Sequence, residues 1–199
     1  MLDVLVVIQP AASGQSRLPG TEKELKFIKN QARDVIPVVT LRQSEATIDK
    51  VKEGMKKANS VHFACHGVQK VDQPTESALL LAGSSRLTLS EIIMMKLGSK
   101  DLAFLSACQT ATGNEKLADE AVHLAAGMLL AGYQGVVATM WSISDTHAPH
   151  VANDVYEHLF QDPQSGATKA AEALYFAVKK LQDSGASCSS WVPFIHFGV

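Results

Sequence analysis

Two residues of this sequence have the type and the setting for nucleophilic chemistry. Cys108 closes an apolar run and opens a polar turn, in Lys100-Asp101-Leu102-Ala103-Phe104-Leu105-Ser106-Ala107-Cys108-Gln109-Thr110-Ala111-Thr112-Gly113. His66 closes a second run of the same design, Ser60-Val61-His62-Phe63-Ala64-Cys65-His66-Gly67. A buried strand that ends in small residues and a turn delivers one side chain to the edge of a sheet. A thiol is only partly thiolate at neutral pH and needs a base or a dipole to activate it. Imidazole titrates in the useful range. Together they are the minimum parts for attack on a carbonyl by a cysteine nucleophile. Gly67 lets the backbone come close to a substrate, and its N–H, with that of Cys108, could stabilise an oxyanion. For Cys108 alone the competing reading, a small buried hydrophobe, outweighs the nucleophile. The matched histidine strand brings the two readings level.

The neighbouring candidates read as structural. Cys65 precedes His66, so it faces the other side of its strand and belongs to the core. Cys188 lies in a Ser-rich loop with no imidazole near it in sequence. His62 and His66 are four apart, which on a strand is about 13 Å and too far for one metal ion. His62 therefore reads as a satisfied structural histidine packed beneath His66. His123, His147, His150, His158 and His196 have no useful spacing, and no metal site or cofactor is expected. Asp119 and Glu120 sit in the first turns of a helix, where carboxylates are ordinary. Asp145 has two readings: an N-cap that opens a helix, or a strand-end carboxylate facing a substrate side chain.

The elements that must position these residues follow from apolar patterning. Leu2 to Ile8 is a continuous β-branched run suited to a strand covered on both faces. After a Pro/Gly/Ser loop, Gln9 to Gly20, Thr21 and Glu24 form a candidate capping box for a helix with Leu25, Ile28 and Ala32 inward. Val35 to Leu41 is a strand that Pro37 assigns to an edge, and Ser44 to Lys57 is a helix. The histidine strand follows, then a polar loop, Val68 to Ser77. Ala78 to Ala82 and Arg86 to Leu89 form a hairpin, and Ser90 caps a short helix to Leu97. Beyond the cysteine strand come a helix, Leu117 to Ala131, ended by Gly132, a strand, Gly135 to Trp141, and a helix, Ala148 to Phe160. A long helix, Thr168 to Gln182, a loop, Asp183 to Ser190, and a strand, Trp191 to Val199, complete the chain. Strands alternating with amphipathic helices predict an α/β fold with a mainly parallel sheet and helices on both faces. In such sheets ligands bind outside the carboxyl ends of the strands, where His66, Cys108 and Asp145 all fall.

Bulk properties set the bounds. A chain of 199 residues, 46% apolar and 19% charged, fits a single domain, residues 1–199, with a sizeable core. Lys and Arg number 18 against 20 Asp and Glu, with no basic run, so nucleic acid is not an expected partner. No apolar run reaches the roughly 18 residues that span a bilayer. Three cysteines make no disulfide framework, which points to a reducing, cytoplasmic setting.

Several motifs together resemble CHAT domains, caspase-like cysteine peptidases of the group that also holds caspases, separases and gingipains. They are HFACHG at His66-Gly67, LSACQTATG at Cys108, AAGMLLAGYQGVVATMWSISD from Ala125 to Asp145, LPGTEKEL from Leu18 to Leu25, and the closing WVPFIHFGV. The likeness runs through nearly the whole chain in order. It is strongest to CHAT domains at the C-terminal end of fungal tetratricopeptide-repeat proteins; such repeats are absent here, so the chain resembles the protease module without its sensor region. The resemblance implies a caspase-like α/β/α sandwich with a small hairpin insertion. It implies a His66/Cys108 dyad with oxyanion donors at Gly67 and Cys108, no obligatory third member, and endopeptidase activity on a protein or peptide in a regulated cell-death or defence pathway. The spacing from His66 to Cys108 is similar to the roughly 50 residues of caspases. Ser106-Ala107-Cys108-Gln109-Thr110 departs from the caspase pentapeptide, so aspartate specificity is not carried over. In separase-like relatives an acidic residue after the strand binds a basic P1 side chain. Asp145 resembles that residue, which makes Arg or Lys the expected P1. A latent or non-catalytic CHAT module that binds a partner is the alternative, and an acyl-transfer hydrolase acting on small thioesters or amides is a weaker third reading.

Overall fold

The alternation of strands and helices closes into one sheet sandwiched between helices. A computed structural model describes residues 3–33, 35–70, 72–109, 121–141, 143, 145–162, 164 and 166–199, with the backbone alone at 107–109 and 121–123. The strands are β1 (Val4–Ile8), β2 (Val38–Arg42), β3 (Ser60–Val68), β4 (Ala78–Leu80), β5 (Arg86–Thr88), β6 (Lys100–Gln109), β7 (Tyr133–Thr139) and β8 (Phe194–Gly198). The helices are α1 (Gly20–Ala32), α2 (Ile48–Lys57), α3 (Leu89–Met94), α4 (Ala121–Ala131), α5 (Ala148–Leu159), α6 (Ala170–Asp183) and α7 (Cys188–Trp191). Sheet order is β2-β1-β3-β6-β7-β8, and the β4–β5 hairpin hangs from β3. β1, β2, β3, β6 and β7 pair in parallel, while β8 runs antiparallel to β7 at one edge. The mainly parallel sheet, the hairpin and the edge position of β2 agree with the sequence reading.

Strand alternation sorts the core into two halves. On one face Val4, Val6, Ile8, Ala64, Phe104 and Val137 pack with α1, α5 and α6 through Leu25, Ile28, Val151, Val155, Ala173 and Ala177. On the other, Leu5, Val7, Phe63, Cys65, Ala103 and Leu105 pack with α2, α3 and α4 through Val51, Met55, Ile92, Leu124 and Met128. Cys65 is thus a core residue on the face opposite His62 and His66, as its position in the strand implied. Lys100, at the start of β6, is nearly buried and closes the end of α2: its Nζ donates to the carbonyls of Lys56 and Ala58, both at 2.8 Å. A cation there meets the negative end of the helix dipole. Gly132 ends α4 with φ 123° against the Gly98 carbonyl, where a Cβ would come within 1.8 Å.

Helix starts differ from expectation where a nearer cap was available. α1 begins at Gly20 behind Pro19, and Thr21 sits inside it, donating its hydroxyl to the Leu18 carbonyl. The Thr21–Glu24 capping box therefore does not form, and Glu24 turns into the core. Residues 43–45 make one 3-10 turn, and α2 starts after Thr47, which accepts from the Lys50 N–H. α3 is capped by Thr88 with Glu91, a reciprocal capping box two residues earlier than Ser90. α7 forms where a loop was expected, and β8 starts at Phe194. Leu117 to Glu120, including Asp119 and Glu120, lie outside the described residues.

Candidate active site

The two middle strands of the sheet bring the predicted pair together. In the parallel register of β3 and β6, His66 pairs with Cys108 and Gly67 with Gln109. Neighbouring strands lie about 4.8 Å apart, so the two residues stand side by side at the carboxyl end of the sheet. Cys108 is described here through its backbone; its side chain lies outside the described atoms, as do residues 110–120. Gly67 continues β3 and is flanked by Leu79 of β4 on one side and Gln109 of β6 on the other.

The His66 ring is oriented by a backbone group. It is buried, and its Nε2 lies 2.8 Å from the Ser16 carbonyl oxygen. A carbonyl can only accept, so Nε2 carries the proton and Nδ1 of the neutral ring is left as the basic nitrogen. Nδ1 is buried and has no hydrogen-bond partner among the described residues. Ser16 belongs to the strap that joins β1 to α1. Leu18 N–H donates to the Pro10 carbonyl at 2.8 Å, and Ser13 N–H donates to Ser84 Oγ in the hairpin at 2.7 Å. These bonds, with the buried Leu18 side chain, hold the Ser16 carbonyl over the imidazole.

The strap also meets Asp145. The Gly20 N–H, at the first position of α1, donates to Asp145 Oδ2 at 2.7 Å. Asp145 is half-buried in the turn after β7. It does not cap the helix it precedes, because α5 opens at His147 without a side-chain cap. Its carboxylate instead caps α1, which is a correction to the N-cap reading. A negative group at a helix N-terminus is favourable by both hydrogen bonding and dipole.

Beneath His66 is a buried polar cluster that the sequence reading did not assemble. His62 Nε2 lies 2.8 Å from Glu24 Oε2, Ser106 Oγ donates to Glu24 Oε1 at 3.0 Å, and the Tyr156 hydroxyl lies 3.3 Å from His62 Nδ1. Glu24 is 2% exposed and His62 0%. Burial, with the Glu24 charge beside it, pushes the Tyr156 phenol far above its ordinary range, so it stays protonated. One arrangement of protons serves all four groups: Tyr156 donates to His62, His62 donates to Glu24, and Ser106 donates to Glu24. His62 is therefore a satisfied structural histidine, as expected. The signal for the cluster was available. Glu24 falls on the buried stripe of Thr21, Leu25, Ile28 and Ala32, and His62 stands in an otherwise apolar run. Two polar anomalies on facing elements call for each other. The Ser16 carbonyl, by contrast, has no signature in a sequence.

The remaining histidines lie elsewhere. His150 pairs with Lys23 at 3.2 Å, and burial with the Lys23 charge holds its pKa below the ordinary value. His158 lies 3.8 Å from Glu172. Cys188 is exposed in α7. Among the described residues no group of three His, Cys, Asp or Glu side chains could hold a metal ion, and no helix is long and apolar enough to cross a membrane.

A parallel sheet between two helical layers, with a histidine and a cysteine in register on its two middle strands, is the fold of the caspase-like cysteine peptidases. The chain belongs to the CHAT domain family, whose model matches residues 2–199. Among solved structures it is similar to the complex of the pro- and mature domains of RgpB from Porphyromonas gingivalis, at TM-score 0.55 and 12% identity over 98% of this chain. It is similar at the same TM-score and 14% identity, over 99% of this chain, to the Arg-specific cysteine proteinase gingipain R. At these identities the likeness is one of fold. The chain spans about half of each gingipain chain, 47% and 46%. No curated protein matches the sequence.

Proposed function

We propose that this CHAT domain is a cysteine endopeptidase with Cys108 as nucleophile and His66 as its base. The observation that carries the reading is the pairing of His66 with Cys108 in the β3–β6 register, with the imidazole proton held on Nε2 by Ser16. In this reading His66 Nδ1 takes the Cys108 thiol proton as sulfur attacks the scissile carbonyl. The oxyanion that forms is stabilised by the N–H groups of Gly67 and Cys108. The imidazolium returns the proton to the departing amine as the C–N bond breaks, leaving a thioester. His66 then takes a proton from water, which attacks the thioester and releases the acid and the thiol. Asp145 is proposed to select Arg or Lys at P1. The substrate is proposed to be a protein, cleaved under the control of a tetratricopeptide-repeat region in a cell-death or defence setting.

Two measurements test this. A peptide library is profiled with wild type and Cys108→Ala, and the protein is labelled with a peptidyl electrophile. Cleavage and labelling that vanish in Cys108→Ala and weaken in His66→Ala are expected. Wild-type protein that neither cleaves nor labels, with a repeat-domain partner present, refutes the assignment.

A further inference from the structure

The mechanism above uses no part of the buried Glu24 cluster, yet Glu24 touches both strands that carry the dyad. On β6 it binds Ser106, two positions before Cys108; on β3 it binds His62, four positions before His66. Register places His62 opposite Phe104 and Ala64 opposite Ser106 on neighbouring strands. One carboxylate thus spans two strands from the helix that lies over them. That same helix begins at Gly20, and the strap leading into it carries the Ser16 carbonyl that bonds His66. Thr21 ties the start of α1 back to Leu18 in the strap.

We infer that Glu24 is a positioning residue for His66: by fixing α1 to β3 and β6 it sets the reach of the strap, and so holds the imidazole as the Nε2–H tautomer with Nδ1 as the basic nitrogen. The geometry explains why an ionisable group occupies this core position. A leucine at position 24 would fill the same stripe of α1 but could not span Ser106 and His62, and buried carboxylates persist only where they are fully hydrogen-bonded. It also explains why both carboxylate oxygens are used. A glutamine can accept from one partner and donate to the other if His62 changes tautomer, at the cost of one orphaned buried hydroxyl hydrogen. Glu24→Gln therefore keeps the span, whereas Glu24→Leu loses it.

The importance of the His66 tautomer for catalysis rests on the proposed peptidase reading, so the test reads the ring itself as well as turnover. Imidazole nitrogen-15 shifts of His66, resolved from the other rings with a His66→Gln control, report which nitrogen is protonated. Wild type is expected to show protonated Nε2. Glu24→Gln is expected to keep that tautomer, and Glu24→Leu to show a mixture of the two. Rates of Cys108 alkylation by iodoacetamide are then followed against pH. A change in the shape of the profile in Glu24→Leu, restored in Glu24→Gln, is expected, with peptide kcat falling at least tenfold in Glu24→Leu and KM changing less than threefold. If Glu24→Leu does not fold, Ser106→Ala removes one of the two ties, and a partial loss of the tautomer bias is expected in its place. A His66 tautomer and alkylation profile identical to wild type in the folded variant, whatever its melting temperature, overturns the inference. If wild type itself neither cleaves peptides nor alkylates at Cys108, the peptidase reading fails, while the tautomer measurement still decides the role of Glu24.

Discussion

Replacing Asp145 by asparagine separates the two jobs its carboxylate can do. The side chain takes the Gly20 N–H at 2.7 Å and so caps α1; it is also the proposed partner of a basic P1 residue. Asparagine keeps an oxygen that accepts from Gly20 and loses the charge, whereas alanine loses both. Loss of an N-cap costs about 1 kcal/mol, which in a domain of this size lowers the melting temperature by about 2–4 °C. Asp145→Ala is expected to show that shift, and Asp145→Asn less than half of it. The effect on specificity is larger. A hydrogen bond to a charged group contributes about 1.5–3 kcal/mol, but here the carboxylate is already shared with the positive end of α1, which weakens its pull on a second cation. We therefore place the loss at about 1–2 kcal/mol, a factor of about 5–30 in kcat/KM. The assay is kcat/KM for matched peptides with Arg, Lys and Leu at P1. In Asp145→Asn the Arg-to-Leu ratio should fall by that factor while the Leu peptide is cleaved as before. An unchanged ratio in a stable Asp145→Asn protein would falsify the S1 role and leave Asp145 as a cap alone.

Lys100 gives a purely structural test. Lys100→Met keeps the packing of the buried stem but leaves the Lys56 and Ala58 carbonyls without their charged donor. A loss of about 2–3 kcal/mol is expected, read as a lower urea midpoint with unchanged slope. His196 gives a test by pH. It sits half-buried on β8, its Nε2 has no hydrogen-bond partner among the described residues, and burial lowers its pKa below the ordinary 6.5. The unfolded chain then binds the proton first as pH falls, so this residue lowers stability as pH drops through 6.5 toward the folded value. Urea midpoints at pH 7.5 and 5.5 should differ more in wild type than in His196→Gln, and equal differences would remove His196 from the account.

Chain order and face were legible because they depend on apolar periodicity, and the core is built from it. The alternation in VHFACHG assigned Cys65 to one face and His62 with His66 to the other, and both halves of the core follow it. Helix starts were less legible because several residues compete to cap one turn. Thr88 outbids Ser90 once Glu91 can answer it, and Gly20 leads α1 because an acceptor 125 residues away supplies the cap. That long-range partner also explains why the N-cap reading of Asp145, one of its two, named the wrong helix: it has the right residue type for a cap and caps α1. Glu24 was misread for the same reason. Three residues after Thr21 it fits a capping box, and only its place among Leu25 and Ile28 hints that it faces inward. The Ser16 carbonyl was invisible, since every residue type carries a backbone carbonyl and could supply it.

Asp145, Glu24 and the Ser16 carbonyl all meet at α1 and the strap before it, which together hold His66, Asp145, His62 and Ser106. Gly20 is where the strap becomes the helix, and it is the point at which the coupling can be tested with one methyl group. A Cβ there would lie 2.3 Å from the Asp145 carbonyl oxygen and 2.6 Å from Oδ1. The first of these is backbone and cannot swing aside, so the start of α1 must withdraw from the turn after β7. Forced overpacking costs about 1–3 kcal/mol, while alanine in place of glycine favours the helix by up to about 1 kcal/mol. Net stability should therefore fall by no more than about 3 kcal/mol, and the fold should survive. Withdrawal stretches the Gly20–Asp145 bond and draws the Ser16 carbonyl from His66, so both specificity and turnover should suffer together. In Gly20→Ala the Arg-to-Leu ratio and kcat are expected to drop in the same protein, with a loss in melting temperature of no more than about 12 °C. A variant that retains wild-type kcat on the Leu peptide while losing Arg preference would show that the strap serves Asp145 without governing His66, and the coupling argued here would be wrong.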